Sequence, residues 1–268
     1  MGSSLDRVEA LLRQRMAVAG RRPFVLGICG AQGSGKSTLA DGLAQRLAAT
    51  GLRVAVLSLD DLYLTRPERD ALARDVHPML ATRGVPGTHD VALGLSVLDG
   101  LTQAGPTLLP RFDKAVDTRA ATRVRVEGPV DVVLFEGWCV GAVPQDAAAL
   151  SVPVNALERD RDADGRWRRH VNQCLAAEYQ RLFGRIDALV LLAAPDFAIV
   201  RDWRIQQEEG LRARLRREGK PVDATMSDAQ VAAFIQYYER LTRHILDEMP
   251  GRADLVLRLD AGRGLAGI

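Results

Sequence analysis

Little in this chain would carry it out of an aqueous compartment. No apolar run is long enough to span a bilayer, and nothing reads as a cleavable signal. Position 6, where an N-myristoylation signal would place Ser or Thr, is Asp6. We therefore expect no membrane association. Three cysteines occur in 268 residues (Cys29, Cys139 and Cys174), far apart and without metal-ligand spacing. That pattern excludes a disulfide framework and a zinc site, and reads as reduced, mostly buried thiols of a cytoplasmic protein. A net charge of +2 gives no basis for nucleic-acid binding through bulk charge. Repeats and low-complexity blocks are absent. What remains is ordinary for a soluble α/β protein: 47% hydrophobic and 26% charged residues, enough for a substantial core.

Against that background one stretch stands out. Gly30, Ala31, Gln32, Gly33, Ser34, Gly35, Lys36, Ser37 and Thr38 spell the phosphate-binding loop G-x-x-x-x-G-K-[ST]. Such a loop wraps a β-phosphate in backbone N–H groups, spans the β- and γ-phosphates with its Lys and offers a hydroxyl to Mg²⁺. Its flanks have the required order. Phe24-Val-Leu-Gly-Ile-Cys29 is a buried-strand run; Leu39, Leu43 and Leu47 recur at helical spacing, and Gly51 stands where that helix would end. The following helix adds its positive N-terminal end to the same anion. A nucleoside triphosphate, ATP, is the expected ligand.

The remaining elements alternate. Ser4 could cap a first helix that ends at Gly20, and a second strand over 54–59 stops abruptly at Asp60 and Asp61. Residues 64–90 are polar and show no sustained period. A helix follows, capped by Thr88 or Asp90, and residues 108–114 run as a strand or loop into charge. Val132-Val-Leu-Phe135-Glu136 reads as a strand ending in a metal-holding acid beside Ser37. The charged run 158–165 reads as a solvated surface loop, its likeness to a calcium loop being incomplete. A helix through Val171 to Leu182, a strand over 188–192, a basic helical stretch over 196–220, a capping box at Ser227 and Gln230, and a strand over 255–259 complete the chain. Strands alternating with helices predict an α/β P-loop fold, three-layered, with a mainly parallel sheet, helices on both faces and a small lid. We expect one domain over 1–268, with the N-terminal helix in 1–22, acceptor-binding loops and helix in 61–120, and the lid in 197–226.

Carboxylates at the carboxyl ends of parallel strands are well placed for chemistry. Asp60 is the expected base and a possible metal ligand with Ser37 and Glu136; Asp61 is either a cap or a substrate group. Arg201 and Arg204 suit a lid closing over phosphates, whereas the later arginines suit a wet helix face. His77 and His89 could each hold loop backbone or touch substrate, His89 being the better candidate. There is no Asn-Lys-x-Asp guanine signature, and no length for a separate coupling domain.

Leu59-Asp60-Asp61-Leu62-Tyr63 resembles the acid-rich strand end of the phosphoribulokinase, uridine kinase and pantothenate kinase superfamily. Within it, Asp60-Asp-Leu-Tyr-Leu-Thr65, Arg83-Gly-Val-Pro-Gly-Thr-His89-Asp90, Leu109-Pro-Arg-Phe-Asp-Lys114, Phe135-Glu-Gly-Trp-Cys-Val-Gly141, Pro153-Val-Asn155-Ala-Leu-Glu158, Trp203-Arg204 and Tyr238-Glu-Arg-Leu-Thr-Arg243 resemble the plant-type D-glycerate 3-kinases. The resemblance implies transfer from MgATP to D-glycerate, with Asp60 as the base. On our own reading of the residues, Lys36, Glu136 and Arg204 join it in catalysis with Arg201 at the nucleotide, either lid arginine being suited to close over the phosphates. A small anionic acceptor needs cations, and Arg83, Arg111, Lys114 and Arg119 are candidates, with Asp61, Tyr63, His89 and Asp90 in the same loops. A nucleoside acceptor would want an aromatic platform, and only 5% of the chain is aromatic. Another small acid, a nucleoside, or a protein that binds ATP with little turnover are the alternatives. Either a monomer or a homodimer is expected.

Overall fold

The computed structural model describes residues 3–20, 22–222 and 225–266. Expectations touching Met1, Gly2, Arg21, residues 223–224 of the lid segment and the last two residues of the tail lie outside them. In chain order the elements begin with α1 (Ser4–Val18), β1 (Phe24–Gly30), α2 (Lys36–Ala49), β2 (Val54–Ser58), α3 (Arg66–Asp75) and α4 (Val91–Gly100). Next come β3 (Gly105–Leu109), β4 (Phe112–Asp113), β5 (Thr118–Arg119), β6 (Val124–Gly128) and β7 (Val132–Gly137). The chain then forms α5 (Ala156–Arg161), α6 (Arg166–Cys174), α7 (Gln180–Phe183), β8 (Ala188–Ala193), α8 (Phe197–Arg217), α9 (Asp228–Glu248) and β9 (Leu255–Arg258).

The main sheet has the order β2-β7-β1-β8-β9 and is parallel throughout. β1, β7 and β8 are buried along their whole length, which is why they read as unbroken apolar runs. β2, at the edge, alternates instead. Because β7 inserts between β1 and β2, the carboxyl ends of all three converge. Ile28 and Ser58 both pair with Glu136, so the phosphate loop, Asp60 and Glu136 emerge together at a topological switch point. Two short antiparallel pairs, β3 with β6 and β4 with β5, stand apart from this sheet; neither pairing was expected, only a strand or loop over 108–114.

Several local expectations need correction. Ser3, not Ser4, caps α1 through a capping box with Asp6, and the helix ends at Val18, before Gly20. Residues 66–75, expected to be irregular, form α3. Thr65 and Glu68 make its capping box, and its single buried side chain is Arg69, so no apolar period marked it. The acidic run is not a solvated loop. Residues 156–161 are helical, Glu158 is buried against Arg240 (2.7 and 2.8 Å), and buried Asp162 pairs with Arg168 at 2.9 Å. The expected helix through Tyr179 is broken by a π-turn at Leu175–Tyr179, between α6 and α7. Of the two caps considered for α4, Asp90 is the one used. The Ser227 capping box forms as expected.

Candidate active site

Gly33 and Gly35 take φ of 80° and 87°, in the left-handed region that a side chain disfavours. They turn the loop so that Gly35 caps α2 and Lys36 opens it. A Cβ on Gly33 would come within 2.7 Å of the Trp203 Cβ, so the loop is fitted against the root of α8. Arg263 supports it from behind, donating to the Gly33 carbonyl at 2.6 Å. Gln32, Gly33, Lys36 and Ser37 line a cleft of about 450 Å³ at the carboxyl ends of β1, β2 and β7. That volume accommodates a small-molecule ligand. Gly30, Ala31, Ser34, Gly35 and Thr38 complete the loop without forming that wall. The Ser34 hydroxyl and Gln32 Oε1 are buried with no hydrogen-bond partner among the described residues, polar atoms available to a ligand.

The opposite wall is acidic. Glu136 is 5% exposed; its Oε1 accepts from the Ser37 hydroxyl at 3.2 Å, and its Oε2 is buried with no partner among the described residues. A buried carboxylate oxygen left over beside a hydroxyl fits a hard divalent cation such as Mg²⁺. Asp60 follows β2 in a 3₁₀ turn, Leu59–Leu62, and lines the cleft. Its Oδ2 accepts from Lys114 Nζ at 2.6 Å and its Oδ1 from the Tyr63 hydroxyl at 2.9 Å. Burial alone would raise the Asp60 pKa. The charges of Lys114 and Lys36 and the two hydrogen bonds outweigh it, bringing the pKa down to about 2. Asp61 moves the other way: burial raises it despite the Phe112 N–H and Arg111. Adjacent carboxylates with environments that push them apart suit different roles.

The remaining expected residues divide. Arg83, Lys114, Tyr63, Asp61 and Arg204 all line the cleft. Arg204 pairs with buried Glu208 at 2.7 Å. Arg111 is spent on Asp61 at 2.9 Å, and Arg119 on Asp90 at 2.7 Å. Asp90 accepts from Leu93 N at 2.9 Å as the cap of α4, and Arg111, Arg119 and Asp90 do not form the cleft wall. His89 lies behind the wall. It stacks beneath Tyr63 at 4.6 Å and bonds the Tyr179 hydroxyl at 2.6 Å, and burial brings its pKa down to about 3, so it stays neutral. His77 accepts from Met79 N and faces Asp162, away from the cleft. Arg201 does not reach the cleft either. One helical turn earlier than Arg204, it bonds the half-buried Asp202 and borders a separate hollow between α8 and α9.

Seven residues of the wall were not among those expected: Ser58 ends β2, Trp138 follows β7, Gln207, Glu208 and Leu211 lie on α8, and Phe234 and Tyr238 lie on α9. Trp138 Nε1 donates to the Gly84 carbonyl at 2.8 Å and the Tyr238 hydroxyl to the Arg83 carbonyl at 3.2 Å. Gly84 is required there, since a Cβ would overlap the Tyr238 hydroxyl.

Comparisons with known proteins bear on the family and the fold. Residues 3–63, which hold the phosphate loop, match the family model of methylmalonyl-CoA mutase-associated GTPase MeaB. Over 247 residues the chain is 36% identical to the uncharacterized kinase mug58 of Schizosaccharomyces pombe, covering 87% of this chain and 84% of that protein. It is 33% identical over 229 residues to the chloroplastic D-glycerate 3-kinase of Arabidopsis thaliana, covering 81% of this chain but 46% of that longer protein. The solved D-glycerate 3-kinase of Cryptococcus neoformans superposes with a TM-score of 0.78 at 27% identity, covering 100% of this chain and 99% of the other. This chain belongs to the P-loop small-molecule kinases of the phosphoribulokinase, uridine kinase and pantothenate kinase superfamily, in the group that includes the D-glycerate 3-kinases.

Proposed function

We propose that the protein transfers the γ-phosphoryl group of ATP to D-glycerate, giving 3-phospho-D-glycerate. The observation that carries this reading is the composition of the cleft wall: the ionised carboxylate of Asp60 hydrogen-bonded to Lys114, with a second cation, Arg83, in the same wall. The two cations suit the carboxylate of a small acid. Asp60 suits its hydroxyl, which must lose a proton as the new O–P bond forms and the bond to the β-phosphate oxygen breaks. The residue pattern shared with glycerate 3-kinases supports the same acceptor.

Lys36 and the N-terminus of α2 would hold the β- and γ-phosphates, and Arg204 would face them from α8. Ser37 and Glu136 would hold Mg²⁺, with Asp60 near enough to contribute; the ion supplies neutralisation of charge on the transferring group. Asp61 fixes Arg111 and the Phe112 N–H, which holds the acceptor loop in place. Tyr63, stacked on His89, holds Asp60. The segment 197–226, which begins with α8, is the proposed lid, which excludes competing water. No helix among the described residues is long and apolar enough to cross a membrane, and three unbonded cysteines suit a reducing cytoplasm.

The aromatic wall of Trp138, Phe234 and Tyr238 favours a second reading, a larger acceptor with a planar part. An ADP-release screen over small hydroxy acids, sugar acids, pantothenate and nucleosides separates the two. Turnover stimulated by D-glycerate above the others supports the first reading, and preference for a nucleoside overturns it.

A further inference from the structure

The turn joining β4 to β5 carries Lys114 at one end and Asp117 at the other. Asp117 has φ 53°, a left-handed conformation that Asp tolerates better than most side chains. Its carboxylate gathers three guanidinium groups. Oδ1 accepts from Arg83; Oδ2 accepts from Arg69 at 2.6 Å and Arg66 at 3.5 Å. Burial opposes its ionised form, but the hydrogen bonds from Arg69 and Arg83 hold its carboxyl below the ordinary range.

Among these three arginines only Arg83 lines the cleft. Its main chain is fixed by Tyr238 on its own carbonyl and by Trp138 on the next. Its guanidinium lies 5.6 Å from the Phe112 ring centre and gives Nη1 to Asp117. Nε and Nη2 have no protein acceptor among the described residues. A guanidinium is a rigid fork of donors. With one corner committed to Asp117, the other edge is oriented and free to donate to both oxygens of a carboxylate.

We infer that Asp117 is a positioning residue for Arg83 and thereby sets the preference for an acceptor bearing a carboxylate. The inference rests on the reading of this cleft as an acceptor site. Arg69 provides the competing explanation. It is 1% exposed and also bonds the carbonyls of Leu64 and Ala81, so Asp117 could serve only to neutralise it.

The test is a double-mutant cycle with Asp117→Asn and Arg83→Ala, using the full chain with D-glycerate and with glycerol as its neutral counterpart. Asp117→Asn is expected to raise the KM for glycerate roughly tenfold while kcat changes by less than about threefold. The KM for ATP stays constant, and the preference for glycerate over glycerol falls by the same factor as glycerate binding. In the Arg83→Ala background the second substitution adds no further rise, because the two act as one unit. An unmoved KM, or an equal rise in that background, overturns the inference. If Asp117→Asn does not fold because Arg69 is left unpaired, Asp117→Glu keeps the charge, shifts it by one methylene and carries the same expectation. If the wild-type chain phosphorylates another hydroxy acid instead, the glycerate reading fails while the cycle, run with that acid, still decides the role of Asp117. Preference for neutral acceptors in the wild type overturns both.

Discussion

Lys114 Nζ lies 2.6 Å from Asp60 Oδ2, so the carboxylate proposed to accept a proton shares an ion pair with a cation proposed to meet the acceptor. An acid entering the cleft competes with Asp60 for that ammonium. Acceptor binding and release of the base are thereby linked.

Replacing Lys114 by Met tests the link through pH. Burial favours the neutral form of Asp60, and Lys114 is the largest of the influences opposing it, ahead of Lys36; the pKa stands at about 2 against an ordinary 3.8. The folded-state pKa is therefore depressed. The stability it contributes is complete above the ordinary value and is lost as pH falls toward about 2. In Lys114→Met both that loss and the acid limb of the kcat/KM profile move to higher pH, and the KM for glycerate rises. A pH–rate profile with an unchanged acid limb counts against the pairing.

Glu136 is the proposed metal carboxylate, with Oε2 buried and unpartnered among the described residues. Glu136→Gln keeps its shape and removes its charge. The Mg²⁺ concentration for half-maximal turnover is expected to rise by roughly 10- to 100-fold. A titration of the variant that overlays the wild type would assign the metal elsewhere.

Away from the cleft, Arg240 holds Glu158, which is 0% exposed, through two hydrogen bonds, and also the carbonyls of Ala149 and Val152. Arg240→Met leaves a buried carboxylate uncompensated and should cost about 3–5 kcal/mol. Urea unfolding would show a lower midpoint. An unchanged midpoint would mean that water reaches Glu158.

What could be read beforehand was local. Residues 30–38 declare themselves because glycines at fixed spacing have a backbone purpose, and Glu136 because an acid ends an apolar run in a chain that carries such a loop. The parallel sheet followed from the alternation of runs. What could not be read depends on distant partners. Trp138, Phe234 and Tyr238 become cleft wall only once α9 packs against the end of β7. α3 was hidden because its one buried side chain is an arginine. Glu158 looked solvated because its partner lies 82 positions later. Arg201 and Arg204 were indistinguishable by type, and helix geometry alone sends one into the cleft and the other out.

The central claim is that Asp60 takes the acceptor's proton at a site where Lys36 and Ser37 hold the nucleotide. Asp60→Asn keeps the side-chain shape and still accepts at one oxygen. With D-glycerate as acceptor, kcat is expected to fall by roughly 10²- to 10⁴-fold, while ATP affinity, measured by calorimetry on the same preparation, stays within about threefold of wild type. Normal turnover by that variant would contradict the account.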